Sequence, residues 1–329
     1  MAAIYGNVQA VPLALGVFLA TDDYDHNPDP YTISVTTLLK PVRQIILPMR
    51  VNTEGALIDL AGQMANRLGS AIHHKIEHAW TTNYRKAMQL MGYPDKIIDR
   101  IRINPTPAEL AADSSIIAIY MEQRLTKKVG RWNVSGKFDF IGDGMVQDFK
   151  SASVWSYQNQ VNHDKQVLQG SLYRWLDPVK ITQDIMQIHH IFMDWKAAMV
   201  KSDPSYPPQR FATQKLHLIS EAEADRFVRS KLALIEKYWD ADEANIPLCE
   251  DEDLWRTAPK YKYYKSGDVT ALKSTKNFDD KTEAYLHRAT LGVGAIKEVP
   301  GEVKACVYCS GFMACSQKDA YIKSGDLKL

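Results

Sequence analysis

The chain has no surplus of charge of either sign. Forty Lys and Arg stand against 39 Asp and Glu, a formal net charge of +1. That excludes a broad electropositive surface, so any contact with a polyanion has to come from local patches. A membrane-length hydrophobic run is also missing. Val11 to Ala20 is apolar for ten residues, about half of the ~20 that a spanning helix needs. No Lys or Arg precedes Lys40, so the charged n-region of a secretion signal is absent. The run reads as a buried or interfacial segment of a cytoplasmic protein. Cysteine is scarce, with four in 329 residues, and in a reducing compartment these are not expected to form disulfides. There is no internal repeat and no low-complexity tract. What is present is 45% apolar residues, enough for a sizeable core in about two average domains, or one large domain with an appended lobe.

Hydrophobic spacing predicts the elements. After a polar, turn-rich loop over 21–31, a helical pattern runs from Glu54 to about Met91, with Leu57, Leu60, Ala61, Met64, Leu68, Ile72, Ile76 and Trp80 on one stripe. Pro105 and Pro107 break it. Strands are expected at Ile116–Leu125, Asn133–Ile141 and Met145–Ser151, a helix at Val161–Leu176, and a further β-rich stretch at Ile185–Trp195. Asp203–Arg210 holds three prolines and reads as a linker. Ser220 with Glu223 forms a capping box opening a helix with Val228, Leu232, Ile235 and Trp239 on its apolar face. After Ala244 the pattern turns irregular. The expected division is therefore residues 1–210 and residues 211–329.

The most informative stretch runs from Val134 to Lys150. Asp143-Gly144 is a strong two-residue hairpin signal. Counting outward, Gly142 faces Met145, Ile141 faces Val146, Phe140 faces Gln147 and Asp139 faces Asp148. Two carboxylates directly opposed destabilise a sheet unless something offsets the repulsion. A divalent cation does so, and hard oxygen ligands suit magnesium or manganese. Lys150, two residues past Asp148, shares its face and can hold a water or stabilise charge on a phosphorane. These are parts of metal-assisted phosphodiester hydrolysis. The other reading is a solvated hairpin face with a Lys–Asp pair.

Two helical columns support the site. Gly69, His73 and Glu77 stand at i, i+4, i+8, where His73 can give a nitrogen ligand and Glu77 can orient the ring or add an oxygen; a surface His–Glu pair is the alternative. Lys165, Gln169 and Tyr173 form the second column, able to bond DNA phosphate or brace Lys150, or simply to make a polar face.

Together these residues resemble the RecB-like branch of the PD-(D/E)XK nucleases, which includes helicase–nuclease subunits, CRISPR adaptation nucleases and phage exonucleases. The pattern of that branch is G-x3-H-x3-E, G-x2-D, D-x-K and Q-x3-Y in that order. Here it reads Gly69, His73 and Glu77; Gly136 and Asp139; Asp148 and Lys150; Gln169 and Tyr173. The resemblance covers about residues 30–200 and the cysteine region. It implies an α/β, restriction-endonuclease-like core, a mixed central sheet flanked by helices. It implies His73, Asp139, Asp148 and the Phe149 carbonyl as ligands of Mg2+ or Mn2+, with Lys150 acting on the attacking water and Glu77, Gln169 and Tyr173 in supporting catalytic roles. Glu122 falls where the family often has an acidic residue on its first strand.

Cys306, Cys309 and Cys315 give C-x2-C-x5-C, and Cys249 is the remaining cysteine. Four thiolates suit a [4Fe-4S] cluster or a structural zinc; unligated thiols are the third reading. Many RecB-like nucleases carry an iron–sulfur cluster on such a C-terminal trio, with the fourth cysteine upstream, just before a proline. Lys40, before Pro41, stands there in this chain, and Cys249 is the available substitute. Lys260-Tyr-Lys-Tyr-Tyr-Lys265 interleaves bases with aromatics, as a single-strand-binding surface or as an ordinary strand. The expected activity is a metal-dependent DNA exonuclease, in phage replication or recombination by resemblance alone, working in the host bacterial cytoplasm on DNA that has a free end or is single-stranded. A structure-selective endonuclease and a non-catalytic DNA-binding subunit are the alternatives.

Overall fold

Asp143 and Gly144 both take the left-handed backbone that a tight two-residue hairpin requires, with φ of 52° and 71°, and the central sheet is built outward from this turn. The structure, a computed structural model, describes residues 4–22, 27, 29–51 and 57–329. In chain order its principal elements begin with α1 (Leu13–Ala20), β1 (Thr32–Ser34), α2 (Val42–Arg50) and α3 (Met64–Thr82). Strands follow: β2 (Ile101–Ile103), β3 (Ile117–Met121), β4 (Arg124–Val129), β5 (Trp132–Lys137), β6 (Phe140–Gly142) and β7 (Met145–Ala152). Then come α4 (His163–Leu176), β8 (Ile185–Phe192), β9 (Phe211–His217) and α5 (Glu221–Tyr238). The last are β10 (Lys260–Tyr264), β11 (Lys276–Phe278), α6 (Lys281–Leu291), β12 (Ala295–Val299) and α7 (Ser316–Ser324).

The chain forms two compact units, Met1–Leu39 with Thr53–Leu232, and Lys40–Asn52 with Ala233–Leu329. The first holds a six-stranded mixed sheet in the order β9-β8-β7-β6-β3-β2. β6 pairs antiparallel with β3 on one side and with β7 on the other. β7 and β8 are parallel, joined by the crossover helix α4, as parallel neighbours require. With α3 ahead of β3, this is a mixed α/β fold, a central mixed sheet flanked by helices, the arrangement of a restriction-endonuclease-like core. The border expected after residue 210 falls inside this unit: β8 and β9 pair antiparallel across the proline-rich segment, so that segment is a hairpin connection and not a linker.

Two predicted strands are each split in two. Ile116–Leu125 becomes β3 and β4, and Asn133–Ile141 becomes β5 and β6. Glu122 has φ 50° and ends β3, and β4 and β5 pair with each other and with β1 as a separate three-stranded sheet. The predicted long helix is also divided. Leu57–Asp59 is a short strand, α3 starts at Met64, and the chain breaks at Asn83 before a separate helix at Tyr84–Leu90; Glu54 lies outside the described residues. No α3 residue is fully buried, but Ile76 and Trp80 pack against Met88, Ile98, Ile101, Ile119, Met121 and Phe140. The Val11–Ala20 run forms α1, which buries Gly16 and Leu19 and leaves Leu13 and Val17 exposed. No described helix is long and apolar enough to cross a membrane.

In the second unit, the stretch expected to be irregular holds the antiparallel sheet β11-β10-β12. Tyr261 and Tyr263 of β10 are buried with Phe278 and Ala284, and Tyr264 is 5% exposed. These rings fill a core and cannot stack on bases, so the single-strand-binding reading of Lys260–Lys265 is set aside. The capping box before α5 forms, with Ser220 Oγ accepting from Glu223 N and Glu223 accepting from Ser220 N.

The hairpin turn gives the first prediction. A Cβ on Gly144 would lie 2.1 Å from Thr182 Oγ1, and the Gly144 carbonyl accepts from the backbone N–H of both Thr182 and Gln183. Gly144→Ala should therefore destabilise the protein by ~1–3 kcal/mol, read as a lower denaturant midpoint, whereas Asp143→Gly should change it little. A wild-type midpoint for Gly144→Ala would show that the turn is not under this constraint.

Candidate active site

The ladder between β6 and β7 runs through Gly142↔Met145, Ile141↔Val146 and Phe140↔Gln147, the register counted from the turn. It stops one pair short of Asp139 and Asp148. Asp139 Oδ2 instead accepts from the backbone N–H of Phe149 at 3.0 Å. The chain leaves the ladder there, and the two carboxylates need not meet as a regular cross-strand pair.

Asp148 is 3% exposed on β7. Burial above all pushes its carboxyl up to about 6, against the pull of the Lys150 charge. Oδ1 accepts from Lys150 Nζ at 2.9 Å and from Gln169 Nε2 at 3.4 Å. Oδ2 lies 2.7 Å from the same ammonium, yet receives no hydrogen bond of acceptable geometry. Burial opposes the charge on Lys150, but Asp148 more than compensates and raises its pKa. Lys150 is thus an ammonium, a fixed positive charge rather than a proton acceptor.

His73 reaches the sheet from α3. Its Nε2 donates to the Phe149 carbonyl at 2.9 Å, and Nδ1 lies 3.3 Å from Asp139 Oδ1. Both ring nitrogens face oxygens, and the hydrogen bond to Asp139 raises the imidazole pKa in spite of burial. Burial would lift Asp139, but the bond and charge of His73 and the Phe149 N–H hold it below the ordinary value. Ligand atoms of His73, Glu122 and Asp139 all lie within 4.8 Å of one another. Glu122 is held there by its left-handed backbone, by its N–H bonded to the Asp139 carbonyl, and by an ion pair of 2.6 Å with Lys137. Burial raises its pKa against that lysine.

These groups fit a hard divalent cation. One imidazole nitrogen and two carboxylates converge, the Phe149 carbonyl points to the same histidine, and a buried Asp148 oxygen lacks a hydrogen-bond donor. Oxygen-rich sets of this kind suit Mg2+ or Mn2+. Glu77, one turn beyond His73, is half-buried and is not in the group that meets within 4.8 Å. Asp148 is not in it either, its carboxylate being turned to Lys150. Glu122 is the residue that motif reading placed least firmly, because it sits at a strand break hidden in a continuous apolar run.

Gln169 and Tyr173 lie one turn apart on α4. Gln169 Nε2 bridges Asp148 and the Tyr173 hydroxyl, at 3.4 and 3.0 Å, and that hydroxyl donates to the Lys137 carbonyl at 3.0 Å. Gly136 makes room for this contact: a Cβ there would meet the Tyr173 ring at 2.8 Å and Leu176 at 2.9 Å.

The four cysteines lie in the second unit and form no disulfide with one another. The amide of Gln317 clamps Cys249 by its backbone, accepting from its N–H at 2.9 Å and donating to its carbonyl at 2.8 Å. α2, which follows the Lys40-Pro41 step, supplies Arg43 and Gln44. Buried Arg43 donates from Nε to Cys315 Sγ at 3.4 Å and from Nη1 to the Ile246 carbonyl at 2.9 Å, and Gln44 Nε2 donates to Cys249 Sγ at 3.8 Å. Burial pushes the Cys249 thiol up to about 12, with the Asp253 charge and then Cys315 and Cys309 adding to it; burial and the same two cysteines push Cys306 up to about 11. The thiols therefore feel one another in an apolar setting. A tetrahedral zinc with bonds of about 2.3 Å would draw its sulfurs to about 3.8 Å apart. Among the described residues, no three thiols come within 4.8 Å of one another.

No protein-family model matches the chain, and no curated protein matches it. Among solved structures it is similar to that of SSO0001, at 16% identity over 70% of this chain and 87% of the other, with a TM-score of 0.39. It is also similar to the structure of a phage related exonuclease from Haemophilus somnus 129PT, at 14% identity over 64% of this chain and 93% of the other, with a TM-score of 0.29.

Proposed function

We propose that the chain is a divalent-metal-dependent deoxyribonuclease that hydrolyses phosphodiester bonds from DNA ends. The observation that carries this reading is the meeting of His73, Glu122 and Asp139 ligand atoms within 4.8 Å, beside a buried Asp148 paired with Lys150. In the proposal, His73, Glu122, Asp139 and Asp148, with the Phe149 carbonyl, hold Mg2+ or Mn2+. When bound, the cation supplies Lewis-acid polarisation of a phosphate oxygen and a more acidic water. The Lys150 ammonium orients the attacking water and offsets charge on the phosphate oxygens. Gln169 and Tyr173 fix the Asp148 carboxylate, and Glu77 serves as an outer support of the His73 helix. The motif resemblance supports a role in phage DNA replication or recombination.

Cys249, Cys306, Cys309 and Cys315 hold a [4Fe-4S] cluster in this reading. The resemblance of the C-x2-C-x5-C trio to that of iron–sulfur-bearing RecB-like nucleases supports the cluster, with structural zinc as the alternative. Its work is structural, closing Cys249 onto the C-terminal trio, and loop closure on this scale has a modest entropic cost.

Linear and closed circular DNA incubated with Mg2+ or Mn2+ tests the activity: mononucleotides from linear DNA alone are expected. Nicked circles would replace the exonuclease with an endonuclease, and binding without cleavage would remove the catalytic reading. Asp148→Asn should lower the cleavage rate by at least ~10²–10³-fold and keep DNA binding, and near-wild-type turnover would overturn the assignment. Lys150→Ala should slow cleavage while calorimetry still records Mn2+ binding.

Glu122→Gln should weaken Mn2+ binding by ~10–100-fold; unchanged Mn2+ affinity would remove Glu122 from the ligand set. For the thiols, anaerobically purified protein should be brown, and Cys249→Ala should lose its iron and melt at a lower temperature while Asp148→Asn does neither. A colourless protein with one zinc would replace the cluster, and full metal content in Cys249→Ala would overturn that ligand.

A further inference from the structure

A cavity of about 330 Å³ opens beside Lys150, away from the His73, Glu122 and Asp139 ligands. Its lining includes Lys150, Tyr157, Lys165, Gln169, His190 and Gln214, and among the described residues no carboxylate contributes to it. Both groups that hold Asp148, the Lys150 ammonium and the Gln169 amide, are on its wall. Whatever fills the cavity is therefore in contact with the residues that fix the catalytic carboxylate.

The chemistry of the lining is specific. Lys150 is already paired with Asp148, so the unmatched charge comes from Lys165, and with no acid in the lining among the described residues it favours an anion. Lys165 is half-buried on α4, and among the described residues no ion pair or hydrogen bond occupies its ammonium. Of the amides, Gln169 Nε2 is already given to Asp148 and the Tyr173 hydroxyl, and Gln214 lies against His190 and His163, so what they present to an occupant is chiefly acceptor oxygen, a match for the amino edge of a nucleobase. Gln214 Oε1 lies 3.1 Å from His190 Nε2, and His190 is 5% exposed with its pKa lowered by burial, so it is a neutral donor and acceptor rather than a charge. The half-buried Tyr157 ring is set edge-on to His190 and Phe192, with centroids 5.0 and 5.2 Å away, and is thereby held as a fixed aromatic wall. Size gives the last constraint: about 330 Å³ is at the lower end of the ~300–1,000 Å³ of small-molecule sites, a volume on the scale of one nucleotide.

We propose that this cavity seats the terminal nucleotide of a DNA strand, with its phosphate on Lys150 and Lys165 and its base against Tyr157 and the amides. The inference rests on the nuclease reading and deepens it: a pocket for one terminal nucleotide, beside the scissile centre, makes an end a condition of binding and a mononucleotide the product.

The test uses the full chain in EDTA, so that no cleavage takes place. Deoxynucleoside 5′- and 3′-monophosphates, the unphosphorylated deoxynucleosides and inorganic phosphate are titrated by calorimetry, and short single-stranded oligonucleotides are added as competitors. At least one class of monophosphate should bind, tenfold or more tightly than its deoxynucleoside or than phosphate. The oligonucleotides should displace it, and Lys165→Ala and Lys165→Gln should each weaken it tenfold or more with the melting temperature kept. No monophosphate binding, or binding indifferent to Lys165, overturns the pocket even if the protein cleaves DNA. Binding that oligonucleotides fail to displace overturns the strand end as occupant in favour of a free mononucleotide. Lys165-dependent binding with displacement, in a protein that does not cleave DNA with metal, upholds the pocket and removes the nuclease reading instead.

Discussion

Asp148 is a carboxylate with 3% of its surface exposed, and taking such a group out of water costs several kcal/mol unless other groups replace the lost solvation. Lys150 supplies most of the replacement, two residues along the same strand face, and Gln169 supplies the rest from α4. Neither completes it, since one oxygen still lacks a hydrogen-bond donor. Much of the first unit follows from that one requirement. The strand has to be interior, which places β7 between β6 and β8. The crossover helix has to bring its polar column down onto the sheet, which is why Gln169 and Tyr173 are buried although both are polar-tipped. A second carboxylate, Asp139, has to sit near the first without a compensating lysine of its own, and the imidazole of His73 takes that place. Such a concentration of partly satisfied charge is expensive for stability alone and is expected where a cation or a charged transition state completes the arrangement.

How much of this was legible in the sequence depends on the range of the interaction. The turn at Asp143-Gly144, the register as far as Phe140↔Gln147, and the Ser220–Glu223 capping box are set by residues within a few positions of one another, and local chemistry names them. The columns on α3 and α4 are also local, and helical spacing is enough to align them. Glu122 was not legible in this way. Its left-handed backbone interrupts an apolar run that reads as one strand, and the interruption is forced by where β4 must go, into another sheet with β5 and β1. Nor does spacing alone tell the buried tyrosines of β10 from a nucleic-acid surface. Alternation of lysine and aromatic residues fits a strand with one wet face and one dry face as well as a binding strip, and it is β11, β12 and α6 that make the dry face dry. The membership of residues 40–52 in the second unit was likewise out of reach, because nothing near Arg43 in sequence shows that its guanidinium will meet Cys315, 272 residues away.

The small sheet of β1, β5 and β4 supplies none of the proposed ligands, yet the proposed site depends on it. Gly136 on β5 lets the Tyr173 ring lie directly against that strand, close enough for the hydroxyl to bond the carbonyl of the next residue, Lys137. The side chain of Lys137 pairs with Glu122, and the other partner of the tyrosine hydroxyl, Gln169, bonds Asp148. A single glycine thus joins the two carboxylates through one phenol. A side chain at 136 would force the ring outward and loosen both connections at once, with an overpacking cost of ~1–3 kcal/mol for the contact itself. The glycine and the aspartate of the G-x2-D motif are separated by three positions because they answer different demands: the aspartate must reach the centre, and the glycine must let the helix behind it come near enough to hold the opposite side.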